Sequence, residues 1–210
     1  MAAGRFISLE GGEGTGKSTQ LSALADALEA RGLSVVTTRE PGGSAGAEAI
    51  RKLLLEGEAG FWGPRAEALL FAAARSDHVE KVIRPAVERG QWVLCDRFHD
   101  SSRAYQGGAS GLGDADILTL HRIGSADYVP DMTLVLDLPD GAARARARQR
   151  DGGEGDRFEQ RADDFHSHVV SAFRKFAAAE PDRIKLVDAS GDVDDVTARL
   201  LATLAPLLPQ

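Results

Sequence analysis

The chain has 210 residues, 43% hydrophobic and 27% charged, with a formal net charge of −7. That length suits one well-cored α/β domain and gives no reason for two. No apolar stretch approaches the roughly 20 residues of a membrane span, and the negative balance disfavours a broad nucleic-acid footprint. The expectation is a single domain over residues 1–210 with neither a membrane nor a nucleic acid as partner. Met1 to Arg5 run into the first apolar segment without the regions of a secretory signal, so the cytoplasm is the expected compartment.

Apolar, β-prone runs recur at residues 6–9, 33–38, 92–95, 132–138 and 184–187, separated mostly by helix-compatible segments. This alternation predicts an α/β fold with a five-stranded parallel sheet flanked by helices. The first run leads into Gly11-Gly12-Glu13-Gly14-Thr15-Gly16-Lys17-Ser18, followed by Thr19, a complete G-x-x-x-x-G-K-S string between strand and helix. Glycines at these positions let successive N–H groups face phosphate oxygens, and the following helix adds its positive end. Lys17 is expected at the β/γ-phosphates of a nucleoside triphosphate and Ser18 on Mg²⁺. An ordinary strand-to-helix turn would leave Lys17 unexplained. The helix beyond carries Leu21, Leu24, Ala25 and Leu28 at helical spacing, with Gly32 as its stop.

After the second run, Arg39-Glu40-Pro41-Gly42-Gly43 forms a turn in which Arg39 offers a planar cationic fork for phosphate. Residues 65–88 read as a long helix with Leu69, Leu70, Ala73 and Ala74 on a buried-looking stripe and Pro85 as a bend or break. The third run holds the lone Cys95, read as a packing residue, and ends in Asp96-Arg97-Phe98. At the carboxyl edge of an open sheet, Asp96 can complete the Mg²⁺ site and Arg97 can contact a transferring or accepting phosphate. A solvated salt bridge is the alternative there. Ser101 to Gly107 supplies hydroxyl, amide and aromatic groups able to read a base or sugar.

Further helices are expected at residues 115–123, 141–150, 162–179 and 193–207. The second of these carries Arg144, Arg146, Arg148 and Arg150, then passes through Asp151-Gly152-Gly153-Glu154-Gly155-Asp156 to Arg157. Like charges so spaced repel one another unless an anion neutralises them, which suits a lid at about 144–161 closing over triphosphate oxygens. A solvated basic face or a nucleic-acid patch is the other reading. His166 and His168, two apart on a helix, face different ways and make a poor metal pair.

Taken together, these strings resemble the bacterial thymidylate kinases over nearly the whole chain. The carriers are Phe6 to Thr19, Arg39 to Gly43, Phe71 to Arg75, Asp96 to Phe98, Ser101 to Gly107 and the arginine-rich segment. The resemblance implies a P-loop NTPase-like sandwich with sheet order 2-3-1-4-5, and transfer of the γ-phosphoryl of ATP to dTMP with Mg²⁺. It implies that Phe71 stacks on thymine, that Arg75, Ser102 and Gln106 read the base, and that Tyr105 crowds the sugar 2′ position. Glu13 is implied at the acceptor 3′-hydroxyl, and Arg39, Pro41 and Arg97 in the rest of the dTMP site. A phosphate loop with no second basic residue goes with arginines in the lid, so Lys17, Arg97, Arg148, Arg157 and Glu13 form the expected catalytic set. Phe98 stands where the family often has His or Tyr, and the glycine-rich lid is longer than usual. A homodimer through the 65–88 helix and its neighbours is also implied. The rival readings are another nucleoside monophosphate or deoxynucleoside kinase, or a nucleotide-dependent switch, although the guanine-reading Asn-Lys-x-Asp string is absent.

Overall fold

The computed structural model describes residues 3–56, 60–139 and 163–209. Five strands, β1 (Arg5–Glu10), β2 (Val35–Arg39), β3 (Trp92–Asp96), β4 (Met132–Asp137) and β5 (Ile184–Asp188), form one sheet in the order β2-β3-β1-β4-β5. Every pairing is parallel, with Leu9 opposite both Asp96 and Leu134, and Arg39 opposite Asp96. The register therefore brings the ends of β1, β2 and β3 to one edge, where the phosphate-loop, Arg39-Glu40 and Asp96-Arg97 strings emerge together.

Alternation along the strands divides the core. Ile7, Leu9, Leu94, Leu134 and Leu136 face α1 (Lys17–Glu29) on one side, whereas Phe6, Val93 and Cys95 face the opposite side. This is the period-two pattern of a sheet buried on both faces. Leu24, Ala25 and Leu28 of α1 join the first cluster, as the helical spacing anticipates, together with Val196, Leu200 and Leu204 of the last α-helix (Val193–Leu204).

The long helix from residue 65 does not break at Pro85. It is α-helical over α3 (Pro64–His78), widens into a π-helical turn at Val79–Ile83, and resumes as α4 (Arg84–Glu88). A proline ring clashes with the carbonyl four residues earlier in a regular helix, and a wider turn just before it relieves that contact. Of the expected buried stripe only Ala74 is buried, while Leu69 and Ala73 are exposed, because the inward face carries Glu67, Ala68, Arg75 and His78 instead. Two helical segments were not foreseen. They are α2 (Ala45–Leu55), whose N-cap Ser44 accepts from the Ala47 N–H, and α5 (His99–Ser102), which continues as a π-helical segment over Arg103–Ala109. α6 (Asp114–Ser125) and α7 (Asp163–Ala179) contain the expected helices, and the last expected helix ends in a tight 3₁₀ turn, Ala205–Leu207. The helix expected at 141–150 lies outside the described residues.

Candidate active site

The phosphate loop folds as its glycines require. Gly11, Gly14 and Gly16 have φ of 137°, 74° and 91°, conformations open to glycine at little cost. A Cβ on Gly11 would lie 2.6 Å from the Leu136 carbonyl oxygen, so the chain there has no room for a side chain. Gly11, Gly12 and Thr15 form the buried underside of the loop, with the Thr15 hydroxyl donating to the Gly12 carbonyl at 3.0 Å. Glu13, Gly14, Gly16, Lys17, Ser18 and Thr19 face a cleft of about 420 Å³. Lys17 Nζ donates to the carbonyls of Gly11 (3.3 Å) and Gly12 (2.8 Å). Burial, and then the neighbouring Arg97 charge, lower the Lys17 pKa.

The Ser18 hydroxyl donates to Asp96 Oδ2 at 2.8 Å, which joins the loop to the end of β3. The two expected metal ligands thus meet as a pair of hard oxygen donors. Among the described residues no group of three or more His, Cys, Asp or Glu could hold a metal. One carboxylate and one hydroxyl suit Mg²⁺, which keeps waters and takes its remaining oxygens from substrate phosphates. The residues present fit that ion.

Arg97, next along the chain, adopts φ 70° without being glycine, a conformation that persists only where surrounding contacts impose it. Those contacts are present. Its N–H donates to the Leu9 carbonyl (2.9 Å), and the next N–H, from Phe98, donates to Glu10 Oε1 (2.7 Å). Glu10 Oε2 also accepts from Ser101 Oγ at 2.6 Å. Burial, reinforced by the Asp100 charge, pushes the Glu10 carboxyl up to about 8. The backbone twist aims the Arg97 guanidinium at Gly11 O (3.2 Å), Ser101 Oγ (3.1 Å) and Glu13 Oε1.

Glu13 Oε1 also accepts from the Tyr105 hydroxyl at 2.8 Å, and the Arg97 Cζ lies 5.0 Å from the Tyr105 ring centroid. Burial alone would raise the Glu13 carboxyl, but the Arg97 and Lys17 charges outweigh it and hold the pKa at about 2. Burial pushes the Tyr105 hydroxyl well up, and the Glu13 carboxylate adds to that shift, so Tyr105 remains a donor.

The same cleft is also lined by Arg39, Pro41, Phe71, Arg75, Ser102, Tyr105 and Gln106. Arg39 sits at the rim, its side chain 57% exposed and its Nη2 3.4 Å from Glu48. Arg75 is buried, donating from Nε to Glu40 Oε2 (2.7 Å) and from Nη2 to Ser102 Oγ (2.9 Å). Its Cζ lies 5.2 Å from the Phe98 ring centroid. Phe98 is fully buried against Phe6, so the position contributes a ring face rather than a polar tip.

Sequence reasoning missed the carboxylates behind these groups. Glu40 pairs with both Arg75 and His78, Glu10 holds the turn at Arg97, and Glu67 accepts from Gln106. A signal for the first existed, since Arg75 and His78 stand three apart and share a helix face that Glu40 could reach. Close approach is visible at Gly43, φ 87°, where a Cβ would come within 2.3 Å of His78 Nε2. Arg51, also unforeseen, lines the cleft and donates to the Pro41 carbonyl at 2.7 Å. Cys95 is buried and its thiol is pushed well up by burial, as a packing residue should be. Arg148 and Arg157, with the lid at about 144–161, lie outside the described residues.

The chain that brings a phosphate loop and aromatic, amide and guanidinium groups into one cleft matches one family over most of its length. The thymidylate kinase family model covers residues 9–200. The thymidylate kinase of Rhizorhabdus wittichii is 64% identical over 206 residues, covering 98% of this chain and 99% of that protein. That of Bradyrhizobium diazoefficiens is 52% identical over 209 residues, covering 98% of this chain and 91% of the relative. The crystal structure of thymidylate kinase from Ehrlichia chaffeensis superposes with a TM-score of 0.78 at 30% identity, covering 96% of this chain and 99% of that one. With its five parallel strands in the order 2-3-1-4-5 and these relatives, the chain belongs to the thymidylate kinase family, ATP-dependent nucleoside monophosphate kinases with a P-loop NTPase fold.

Proposed function

We propose that the cleft binds ATP along Gly11 to Thr19 and dTMP between Arg39 and Gln106, and that Glu13 marks the point where the two meet. The observation that carries this reading is the bonding of Glu13. A carboxylate inside a phosphate loop repels triphosphate, yet here it accepts from Arg97 and Tyr105, which come from the end of β3 and the segment beyond it rather than from the loop. Its charge is spent on ordering those two residues and on offering an acceptor to a sugar hydroxyl. Phe71 supplies a ring for the base, Arg75, Ser102 and Gln106 its polar edge, and Tyr105 the wall beside the sugar.

An oxygen of the acceptor phosphate attacks the γ-phosphorus in line. A new P–O bond forms as the bond to the β-bridging oxygen breaks, and ADP departs with that electron pair. The acceptor is already anionic near neutral pH, so no general base and no covalent enzyme intermediate are required. Catalysis is positioning and charge neutralisation. Lys17 and Arg97 supply fixed positive charge, with Arg148 and Arg157 of the lid proposed to add more. Ser18 and Asp96 would hold Mg²⁺, which when bound neutralises charge on the β/γ-phosphate oxygens.

The unit is proposed to be one domain over 1–210 with its lid at about 144–161, acting in the cytoplasm. It is proposed to form a homodimer, for which Leu69 on α3 and Leu118 and Ile123 on α6 offer exposed apolar side chains on two helices in mutual contact. Sedimentation at micromolar concentration tests the dimer, and a monomer there refutes it. Among the described residues no helix is long and apolar enough to cross a membrane. The central test is a coupled assay across deoxy- and ribonucleoside monophosphates. dTMP is expected to give the highest kcat/KM, and equal or better turnover of AMP or CMP refutes the acceptor assignment.

A further inference from the structure

Behind Gln106, away from the cleft, stands a carboxylate to which the reading so far gives no task. Gln106 Nε2 donates to Glu67 Oε1 at 2.9 Å, and both residues are only 1% exposed. Glu67 lies on the first turns of α3 and does not line the cleft, whereas Gln106 does. A carboxylate has only acceptors, while an amide has a donor end and an acceptor end that are nearly the same shape. Turning the Gln106 amide over would set its carbonyl oxygen against Glu67 with no proton between them, and such a buried mismatch is costly. The pairing therefore dictates the amide's direction, with NH₂ inward and the carbonyl oxygen left for the cleft.

We infer that Glu67 is a positioning residue for base specificity, fixing Gln106 as an acceptor so that the site takes a pyrimidine with an N3–H and rejects one with a bare N3. Arg75 completes the pattern from the other side. Its Nε and Nη2 are engaged by Glu40 and Ser102, and because Arg75 lines the cleft, the guanidinium N–H groups left over by those partners are the donors it can offer a base. A donor from Arg75 and an acceptor from Gln106, both lining the one cleft, would match the 4-carbonyl and N3–H of thymine or uracil. Cytosine presents the reverse, an amino donor and a ring-nitrogen acceptor, and so meets a mismatch at both atoms. Two buried glutamates thereby write a donor–acceptor code that the cleft-facing residues only display. The inference deepens the dTMP assignment above and rests on it.

The test is a double-mutant cycle on discrimination. We would measure kcat/KM for dTMP, dUMP and dCMP with saturating Mg²⁺·ATP in the wild type, Glu67→Gln, Gln106→Ala and the double variant. In Glu67→Gln the amide at 67 can present either end, so Gln106 is free to turn. The dTMP:dCMP and dUMP:dCMP ratios should both fall about tenfold or more, and the substitution should change neither ratio once Gln106 is alanine. Unchanged ratios in a folded Glu67→Gln enzyme overturn the inference, as does an equal loss in the Gln106→Ala background, which would mark a general packing effect. A wild type indifferent between dTMP and dCMP overturns the base-reading proposal itself, and this inference with it. Should Glu67→Gln fail to fold, the wild-type dTMP complex decides. The Gln106 side-chain NH₂ protons, assigned by their loss in Gln106→Ala, should show NOEs to the Glu67 side chain. NOEs from them to the base instead would overturn the assignment.

Discussion

Glu10 gives the sharpest quantitative prediction, because it is a buried carboxyl whose pKa is pushed from 4.5 to about 8 and which has no exposed surface. In the unfolded chain it titrates near its ordinary value, so between pH 4.5 and 8 the folded protein holds a proton that the unfolded chain has lost. Stability from this group is complete below pH 4.5 and is lost as pH rises through 8. The interval of 3.5 pH units, at about 1.4 kcal/mol each, amounts to about 5 kcal/mol. Glu10→Gln removes the titration while keeping the shape. Its carbonyl can still accept from the Phe98 N–H, and its NH₂ can donate to Ser101 Oγ, which has a second lone pair for Arg97. Urea unfolding at pH 5, 7 and 9 should show the wild type losing several kcal/mol more than Glu10→Gln across that range, with the variant the more stable of the two at pH 9. Parallel pH profiles for the two proteins would refute the reasoning.

Lys17→Ala should lower kcat by about 10³-fold or more with its melting temperature nearly kept, and near-normal turnover in a coupled assay would remove Lys17 from the phosphate site. Replacing Tyr105 with alanine should narrow the preference for dTMP over its ribose counterpart, measured as a ratio of kcat/KM; an unchanged ratio would count against the wall beside the sugar. Glu13, held at about 2, contributes stability that is present above its unfolded value of 4.5 and lost as pH falls toward 2. Glu13→Gln should therefore flatten acid unfolding in that window, and an unaltered acid transition would argue against the Arg97 pair. Chelation by EDTA should abolish transfer and added Mg²⁺ should restore it, whereas metal-independent turnover would leave Ser18 and Asp96 without the proposed role.

Much of the proposed site was readable because phosphate recognition uses backbone. A loop that must bend at Gly11, Gly14 and Gly16 leaves its demands in the order of residues, and Lys17 and Ser18 follow at fixed offsets. The five strands were readable because alternate residues such as Ile7 and Phe6 serve opposite faces, so the runs are apolar throughout. The helix at Ala45–Leu55 was harder, since Leu53, Leu54 and Leu55 are consecutive and give no helical stripe, and the cap at Ser44 is a single residue. The His99–Ala109 segment contains Gly107 and Gly108, which weaken any local preference for a helix. It is held instead by contacts from outside the segment, among them Arg103 with Asp114 and Glu180. Hardest of all were the partners of buried charges. Periodicity tells which side of a helix Glu67 faces but not that Gln106, 39 positions later, will be there.

Those hidden pairings reconcile a chain of net charge −7 with the proposed site for two polyanionic nucleotides. Arg97 is backed by Glu13, Arg75 by Glu40, Gln106 by Glu67 and Ser101 by Glu10, and Arg103 and Arg183 converge on Asp100. Each acidic side chain takes up some of its partner's donors and, by doing so, fixes the direction of the rest. A flexible cation in water would have to be ordered when substrate binds, at a cost in entropy, whereas one already held by a buried acid meets the phosphate or base without that cost. Breaking one of the arginine–carboxylate pairs leaves an uncompensated buried charge. Acidic substitutions within this layer should therefore disturb specificity and stability together, while changes at rim positions such as Arg39, 57% exposed, should act on binding alone.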